Sequence, residues 1–155
     1  MMPDDPVVRP AVWGTVAFAV LSGAAVASGG VVALSAAIFD GVLFALGTLA
    51  FVRTLLVVAQ RSRTEELSVA GIWFLGGGSA PADIRRWLLG CLAVQTAVAL
   101  VAASLRPYTA LAFGILVPMF GVGMCGLWAA RSGTFPPRSP RRAMRPPDEG
   151  GMSER

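Results

Sequence analysis

Two long apolar blocks with almost no charge constrain what this chain can fold into. Between Arg9 and Arg53 the only charged residue is Asp40, and residues 87–130 contain a single charge, at Arg106. A helix that crosses a bilayer needs about 20 mostly apolar residues. Each block is therefore long enough for two spanning helices and too long for one. The sequence predicts an all-α, polytopic membrane protein with four transmembrane helices in two antiparallel hairpins.

The composition also favours a protein that lies in lipid. Apolar residues make up 55% of the chain and charged residues 14%, whereas about a quarter of the residues of a soluble domain are charged. The basic residues that give the net charge of +4 flank the apolar blocks, where they set membrane orientation. We therefore expect no nucleic-acid partner. Cys91 and Cys125 both fall within apolar spans, so no secreted disulfide framework is expected.

The predicted organisation has three parts. A cytoplasmic N-terminal tail at 1–10 precedes a bundle at 11–130, and an Arg- and Pro-rich cytoplasmic tail at 131–155 is expected to be disordered. The four helices are predicted at about 11–33, 41–59, 82–105 and 109–130, with a cytoplasmic connection at 61–81.

The first block offers two places where the chain can reverse direction. A turn between Ser35 and Asp40 divides the block evenly and lets Asp40 cap a helix beginning at Gly41, so it is the preferred interpretation. The alternative is a turn at Gly29-Gly30. It would place Asp40 within the bilayer, where a carboxylate is costly and is a functional candidate by default.

A short apolar piece, LSVAGIWFL at 67–75, lies between the two blocks. It is too short to span a membrane. We expect an interfacial segment, with a re-entrant piece or packing under the bundle as alternatives. The glycines at 76–78 do not make a phosphate-binding loop, because the lysine that such a loop needs is absent.

Two further features stand out within the spans. Gln95 is the only strongly polar side chain in the middle of the third helix, and its amide is expected to contact a neighbouring helix. Pro118 lies at the centre of the fourth helix, where it removes a backbone hydrogen bond and predicts a kink. Asp40, Gln95 and Pro118 are the candidates for a polar path or a partner contact.

Small residues recur every four positions on the first and fourth helices, which predicts one smooth face on each. The residues are Ala11, Thr15, Ala19, Gly23 and Ala27 on the first helix, and Ala110, Gly114, Pro118, Val122, Gly126 and Ala130 on the fourth. Such faces pack either within the chain or against another protein.

The distribution of arginine predicts the orientation. With four spans, Arg106 lies on one side of the membrane and every other arginine lies on the other side. The positive-inside rule then places both termini in the cytoplasm. The expected location is the plasma membrane, with the basic tail on anionic lipid headgroups.

The residue types exclude several chemistries. The chain has no His and no Lys, so a Ser–His dyad, a His-ligated metal site and a lysine Schiff base cannot be built. We find no paired carboxylates within a span. The chain is therefore not expected to be an enzyme, and no cofactor or metal site is predicted.

Two stretches carry a resemblance to known proteins. They are RPYTALAFGILVPMFGVGMCGLWAARSGTFPP at 106–137 and TEELSVAGIWFLGG at 64–77. They resemble small uncharacterised four-transmembrane-helix proteins of high-GC actinobacteria. The resemblance implies a four-helix membrane protein and no particular activity.

Two functions are consistent with these observations. The first is a non-catalytic accessory or assembly partner of a membrane complex, which would pack through its smooth helix faces. The second is a small homo-oligomeric transporter or lipid-translocating protein, with Asp40, Gln95 and Pro118 along a path. The second requires Asp40 to lie inside the membrane.

Overall fold

The computed structural model describes residues 4–62, 68–76, 78–107 and 109–135. Every regular element within these ranges is helical. The elements are α1 (Val8–Ser28), α2 (Gly30–Arg61), α3 (Val69–Trp73), α4 (Ala82–Leu105), a 3-10 helix (Ala110–Leu116) and α5 (Pro118–Ser132). Beyond Ser132 the predicted disordered tail lies mostly outside the described residues.

Four segments are long and apolar enough to cross a membrane, which confirms the predicted fold class. They are α1, α2, α4 and the segment Ala110–Ser132, which combines the 3-10 helix with α5. The third predicted helix coincides with α4. At 1.5 Å per residue, α2 with its 32 residues is about 48 Å long and exceeds a hydrocarbon core of about 30 Å.

The first turn lies at Gly29-Gly30, so the preferred turn between Ser35 and Asp40 is wrong. Gly29 and Gly30 adopt positive φ angles of 66° and 54°, which glycine reaches without strain. A single residue therefore separates α1 from α2. Ser35 instead continues the helix, and its hydroxyl donates to the carbonyl of Val31 at 3.0 Å. The predicted helices 11–33 and 41–59 are corrected to Val8–Ser28 and Gly30–Arg61.

The four long segments pack as a ring. Neighbours around the ring are α1 and α2, α2 and α5, α5 and α4, and α4 and α1. The most extensive contact joins α2 to α5, and the core between the helices contains Phe18, Leu88, Val117 and Cys125. The ring brings the two hairpins together as one bundle.

Glycine allows α2 and α5 to approach closely. A Cβ on Gly47 would meet the backbone of Phe120, and a Cβ on Gly123 would meet the carbonyl of Gly47. Small residues at a helix interface let backbones come together in lipid, where packing drives association. Gly114 and Gly126 of the predicted smooth face on the fourth helix are also buried. That face therefore packs within the chain.

Side chains cap the helix ends at both ends of the bundle. Arg106 donates from Nη2 to the carbonyl of Val26 at 2.9 Å, in the last turn of α1. At the opposite end, Arg61 donates to the carbonyls of Ala130 and Gly133 at 3.3 and 3.2 Å. A positive charge at a helix C-terminus satisfies free carbonyls and complements the helix dipole.

The short apolar segment packs against α5 at the end of the bundle. Ser68 caps α3 by accepting from the N–H of Gly71 at 2.9 Å. Ile72 and Leu75 are buried, and the ring of Trp73 stacks on Phe51 with centroids 4.3 Å apart. The segment thus packs against the end of the bundle, while Val69 and Phe74 on it are exposed, and the expected interfacial position stays a prediction.

Candidate functional site

Asp40 is a buried carboxyl group inside α2. Only 1% of the residue is exposed, and its Oδ1 has no hydrogen-bond partner among the described residues. It lies ten residues beyond Gly30, which is about 15 Å along the helix. If the turn at Gly29 lies at the edge of a hydrocarbon core of about 30 Å, this depth is near the middle of that core. A lone buried acid of this kind is costly and needs a reason to be retained.

The carboxyl group faces the interrupted fourth segment. A Cβ built on Gly114 would lie 3.4 Å from Oδ2 of Asp40 and 3.5 Å from the ring of Phe18. Gly114, the carboxyl of Asp40 and the ring of Phe18 therefore lie in van der Waals reach of one another. Three elements meet at this point, namely α1, α2 and the 3-10 helix.

Pro118 explains why the segment is interrupted. Proline has no N–H to donate to the carbonyl four residues earlier, which belongs to Gly114. The N–H of Val117 donates to that carbonyl instead at 3.0 Å, and the N–H of Phe120 donates to the carbonyl of Val117 at 2.8 Å. These bonds tighten the chain into a 3-10 helix before Pro118 and begin α5 after it. The predicted kink is thus a change of helix type.

Gln95 forms a second polar contact within the bundle. It is fully buried on α4, and its Nε2 donates to Oγ1 of Thr15 on α1 at 2.7 Å. The hydroxyl of Thr15 in turn donates to the carbonyl of Ala11 at 2.7 Å. Oε1 of Gln95 has no partner among the described residues, and a Cβ on Gly121 would lie 2.6 Å from it.

The three candidate residues therefore lie at two different places in the bundle. Asp40 and Pro118 are at the same place, because Asp40 lies beside Gly114 and Pro118 leaves the carbonyl of Gly114 to the N–H of Val117. Gln95 lies against Gly121, seven residues further along the chain, which corresponds to roughly 10 Å along a helix. Gly114 and Gly121 are both buried, and both lie on the segment Ala110–Ser132.

Thr15 and Gly114 contact the candidate residues, and the sequence did not identify either contact. Both were expected on smooth faces, as spacing residues only. A signal for Thr15 was present, since a buried Gln needs a hydroxyl or amide partner at similar depth. No comparable signal existed for Gly114, because its importance depends on which helix packs against it.

The described part of the chain contains no group of three His, Cys, Asp or Glu residues that could hold a metal ion. Cys91 and Cys125 are both buried and free. The acidic site is thus a single carboxyl group with apolar neighbours.

Comparison with family models, with curated proteins and with solved structures finds no match for this chain. The resemblance to small actinobacterial membrane proteins therefore stays a prediction.

Proposed function

We propose that this protein is a small, non-catalytic membrane transporter that moves protons, with Asp40 as the proton-carrying group. The observation that carries the proposal is the position of Asp40. It is a buried carboxyl within a span, and Oδ1 has no hydrogen-bond partner among the described residues. Ionisable residues inside membrane spans commonly belong to proton relays and ion pathways.

The interrupted helix next to Asp40 supports a pathway. Broken helices in transporters place irregular backbone beside a cavity or an ion site near the bilayer midplane. Here the 3-10 helix before Pro118 contacts the carboxyl through Gly114. A 3-10 stretch within a longer helix often marks a hinge, so this segment is the element that we expect to move.

The surroundings of Asp40 favour a proton over a metal cation. Sodium and other hard cations need several oxygen ligands. Among the described residues, no group of three His, Cys, Asp or Glu side chains could supply such a set. A proton needs only the carboxyl oxygen itself.

One exposed surface on α1 supports the hypothesis of an assembly partner. Ala11 and Thr15 of the smooth face on α1 are buried inside the chain, but Gly23 and Ala27 are exposed, and a Cβ on Gly23 would meet nothing within 4 Å. A second copy or a partner helix fits there. Recovery of a stoichiometric partner in mild detergent would support this second function, and a monomer without a partner would oppose it.

The plasma membrane and cytoplasmic termini are part of the proposal. They are supported by Arg106 at the end where α1 meets α2. The described arginines at the opposite end are Arg9, Arg61, Arg85, Arg86 and Arg131, and arginine accumulates on the cytoplasmic side. The contacts of Arg106 with Val26 and of Arg61 with Gly133 fix which charges share an end of the bundle.

Proton flux into reconstituted vesicles tests the proposal. Vesicles that enclose a pH dye and carry a valinomycin-driven potential should show flux with the wild-type protein. Asp40→Asn removes the titratable group with little change in shape, so the flux should fall at least tenfold.

Asp83→Asn is the control, because it changes an exposed acid in the first turn of α4, and it should leave the flux unchanged. Equal flux from wild type and Asp40→Asn would refute the role of Asp40, and wild-type flux no higher than that of empty vesicles would refute transport.

A further inference from the structure

A groove of about 620 Å³ opens between α1 and α2. Its walls come from the two helices, and its floor comes from α5. The lining is apolar along its length, with Ala17, Phe39, Leu46 and Met124 among its residues. Among the described residues of the lining, Arg53 is the only charged one.

The groove is long enough to hold the part of a lipid chain that lies in one leaflet. Arg53 and Phe39 are fourteen residues apart on α2, which corresponds to about 21 Å. One leaflet of a bilayer contributes about half of a hydrocarbon core of about 30 Å. The groove therefore extends from a charged end to the middle of the bundle, as an acyl chain does.

Arg53 lies at the end of the groove where a headgroup is expected. Because α1 and α2 run antiparallel from the turn at Gly29, the first turn of α1 is level with the part of α2 near Arg53. The side chain of Arg53 is exposed, and its guanidinium makes no hydrogen bond or ion pair with any described residue. Its charge is available to an anion.

A second groove, between α1 and α4, differs in its charge. Arg86 lines it, but Asp83 lines it too, and the two side chains are 3.9 Å apart. The positive charge there is partly compensated. The described residues that line the groove with Arg53 include no acid, so this groove combines an apolar channel with a cation that no described acid compensates.

We propose that the groove between α1 and α2 binds one anionic phospholipid. Its phosphate lies on the guanidinium of Arg53, and one acyl chain follows the apolar lining toward Phe39. Arginine matches phosphate through its planar set of donors, and the apolar length selects a lipid over a free anion. Asp40 is not part of the lining, so the site is independent of the proposed proton transport.

Native mass spectrometry of the full chain tests this site. The protein in mild detergent receives equal amounts of phosphatidylglycerol and phosphatidylcholine with identical acyl chains. The wild-type protein should retain one phosphatidylglycerol, with an adduct at least fivefold more abundant than that of phosphatidylcholine. Arg53→Gln should bring this ratio close to one. Arg85→Gln removes a similar exposed charge outside the groove and should leave the ratio unchanged.

A second pair of variants tests the apolar groove independently of the charge on Arg53. Ala17→Trp fills the groove and should remove the adduct, whereas Val20→Trp adds the same bulk to an exposed position outside the lining and should keep it. This pair also decides the question if Arg53→Gln does not fold. Asp40→Asn should retain the lipid whether or not it blocks flux.

Four outcomes would overturn the proposal. They are equal retention of the two lipids by the wild type, an unchanged ratio in Arg53→Gln, an equal loss in Arg85→Gln, and an adduct that survives Ala17→Trp. Displacement by millimolar inorganic phosphate would also overturn it, because it would show a site for free anions.

Discussion

At the scale of single residues, the absence of a side chain decides how close α2 and α5 lie. Gly47→Ala should destabilise the bundle, because the new Cβ meets the backbone of Phe120, and backbone cannot move aside as a flexible side chain can. Overpacking of this kind costs about 1–3 kcal/mol. The thermal unfolding midpoint in mild detergent, followed by circular dichroism, measures the effect.

Gly41→Ala is the matched control for that substitution. Gly41 is on the same helix, and a Cβ there would meet nothing within 4 Å. Since alanine is favoured over glycine in a helix by up to about 1 kcal/mol, this variant should be as stable as the wild type or slightly more stable. Equal midpoints for the two variants would contradict the close contact between α2 and α5.

Only some of the residues at the polar site could be predicted from the sequence. Asp40, Gln95 and Pro118 could be selected because each is unusual within an apolar span. The partner of Gln95 could be expected but not named, because several hydroxyl groups lie at similar depth. The neighbour of Asp40 could not be predicted, because it depends on the turn that sets the register of α2.

At the scale of elements, arginine side chains join the ends of different helices. Arg61→Gln should loosen the end of α5, because Arg61 donates to the carbonyls of Ala130 and Gly133 and lies over the ring of Phe135 at 5.4 Å. A cation at a helix C-terminus contributes about 0.3–1 kcal/mol. Hydrogen exchange should therefore speed up at the amides of Gly133 and Thr134.

Arg131→Gln provides the comparison for Arg61→Gln. Arg131 is exposed in the last turn of α5, so its removal changes the charge of the same region without removing the two carbonyl contacts. If both variants exchanged at the same rate near Gly133, charge alone would explain the effect, and the capping role of Arg61 would be wrong.

The number of helices could be predicted from the sequence, whereas the first turn could not. Hydropathy determines that each apolar block contains two spans, and Pro81 and Arg106 delimit α4 clearly. The first block contains two turn candidates with similar local chemistry. Gly29-Gly30 prevails because both residues take positive φ, which glycine reaches without strain. The contact of Asp40 with Gly114 is a consequence of that turn.

At the scale of the whole molecule, the two proposed sites lie at different depths in the bundle. The proposed proton site lies about a third of the way along α2, ten residues from Gly30, and the proposed lipid headgroup lies near Arg53 at the arginine-rich end. The length of α2 links them, since it extends well beyond the start of α1 and carries Arg61 to the end of α5. A lipid bound between α1 and α2 would therefore contact the same helix that presents Asp40.

Cysteine labelling with an impermeant maleimide tests the topology of the whole chain. Ser28 and Ser132 are exposed and lie at opposite ends of the bundle. Ser28→Cys should react in intact cells, and Ser132→Cys should react only after permeabilisation. Gly41→Cys should stay unreactive in both cases, because it lies beside Asp40 within the span, where lipid excludes water and the thiolate does not form. The wild type supplies the background, since its two cysteines are buried.

Two results would contradict this topology. Labelling of Gly41→Cys as strong as that of Ser28→Cys would place the turn at residues 35–40 and remove the basis for proton transport. Labelling of Ser132→Cys in intact cells would instead reverse the orientation and leave the site within the bundle unaffected.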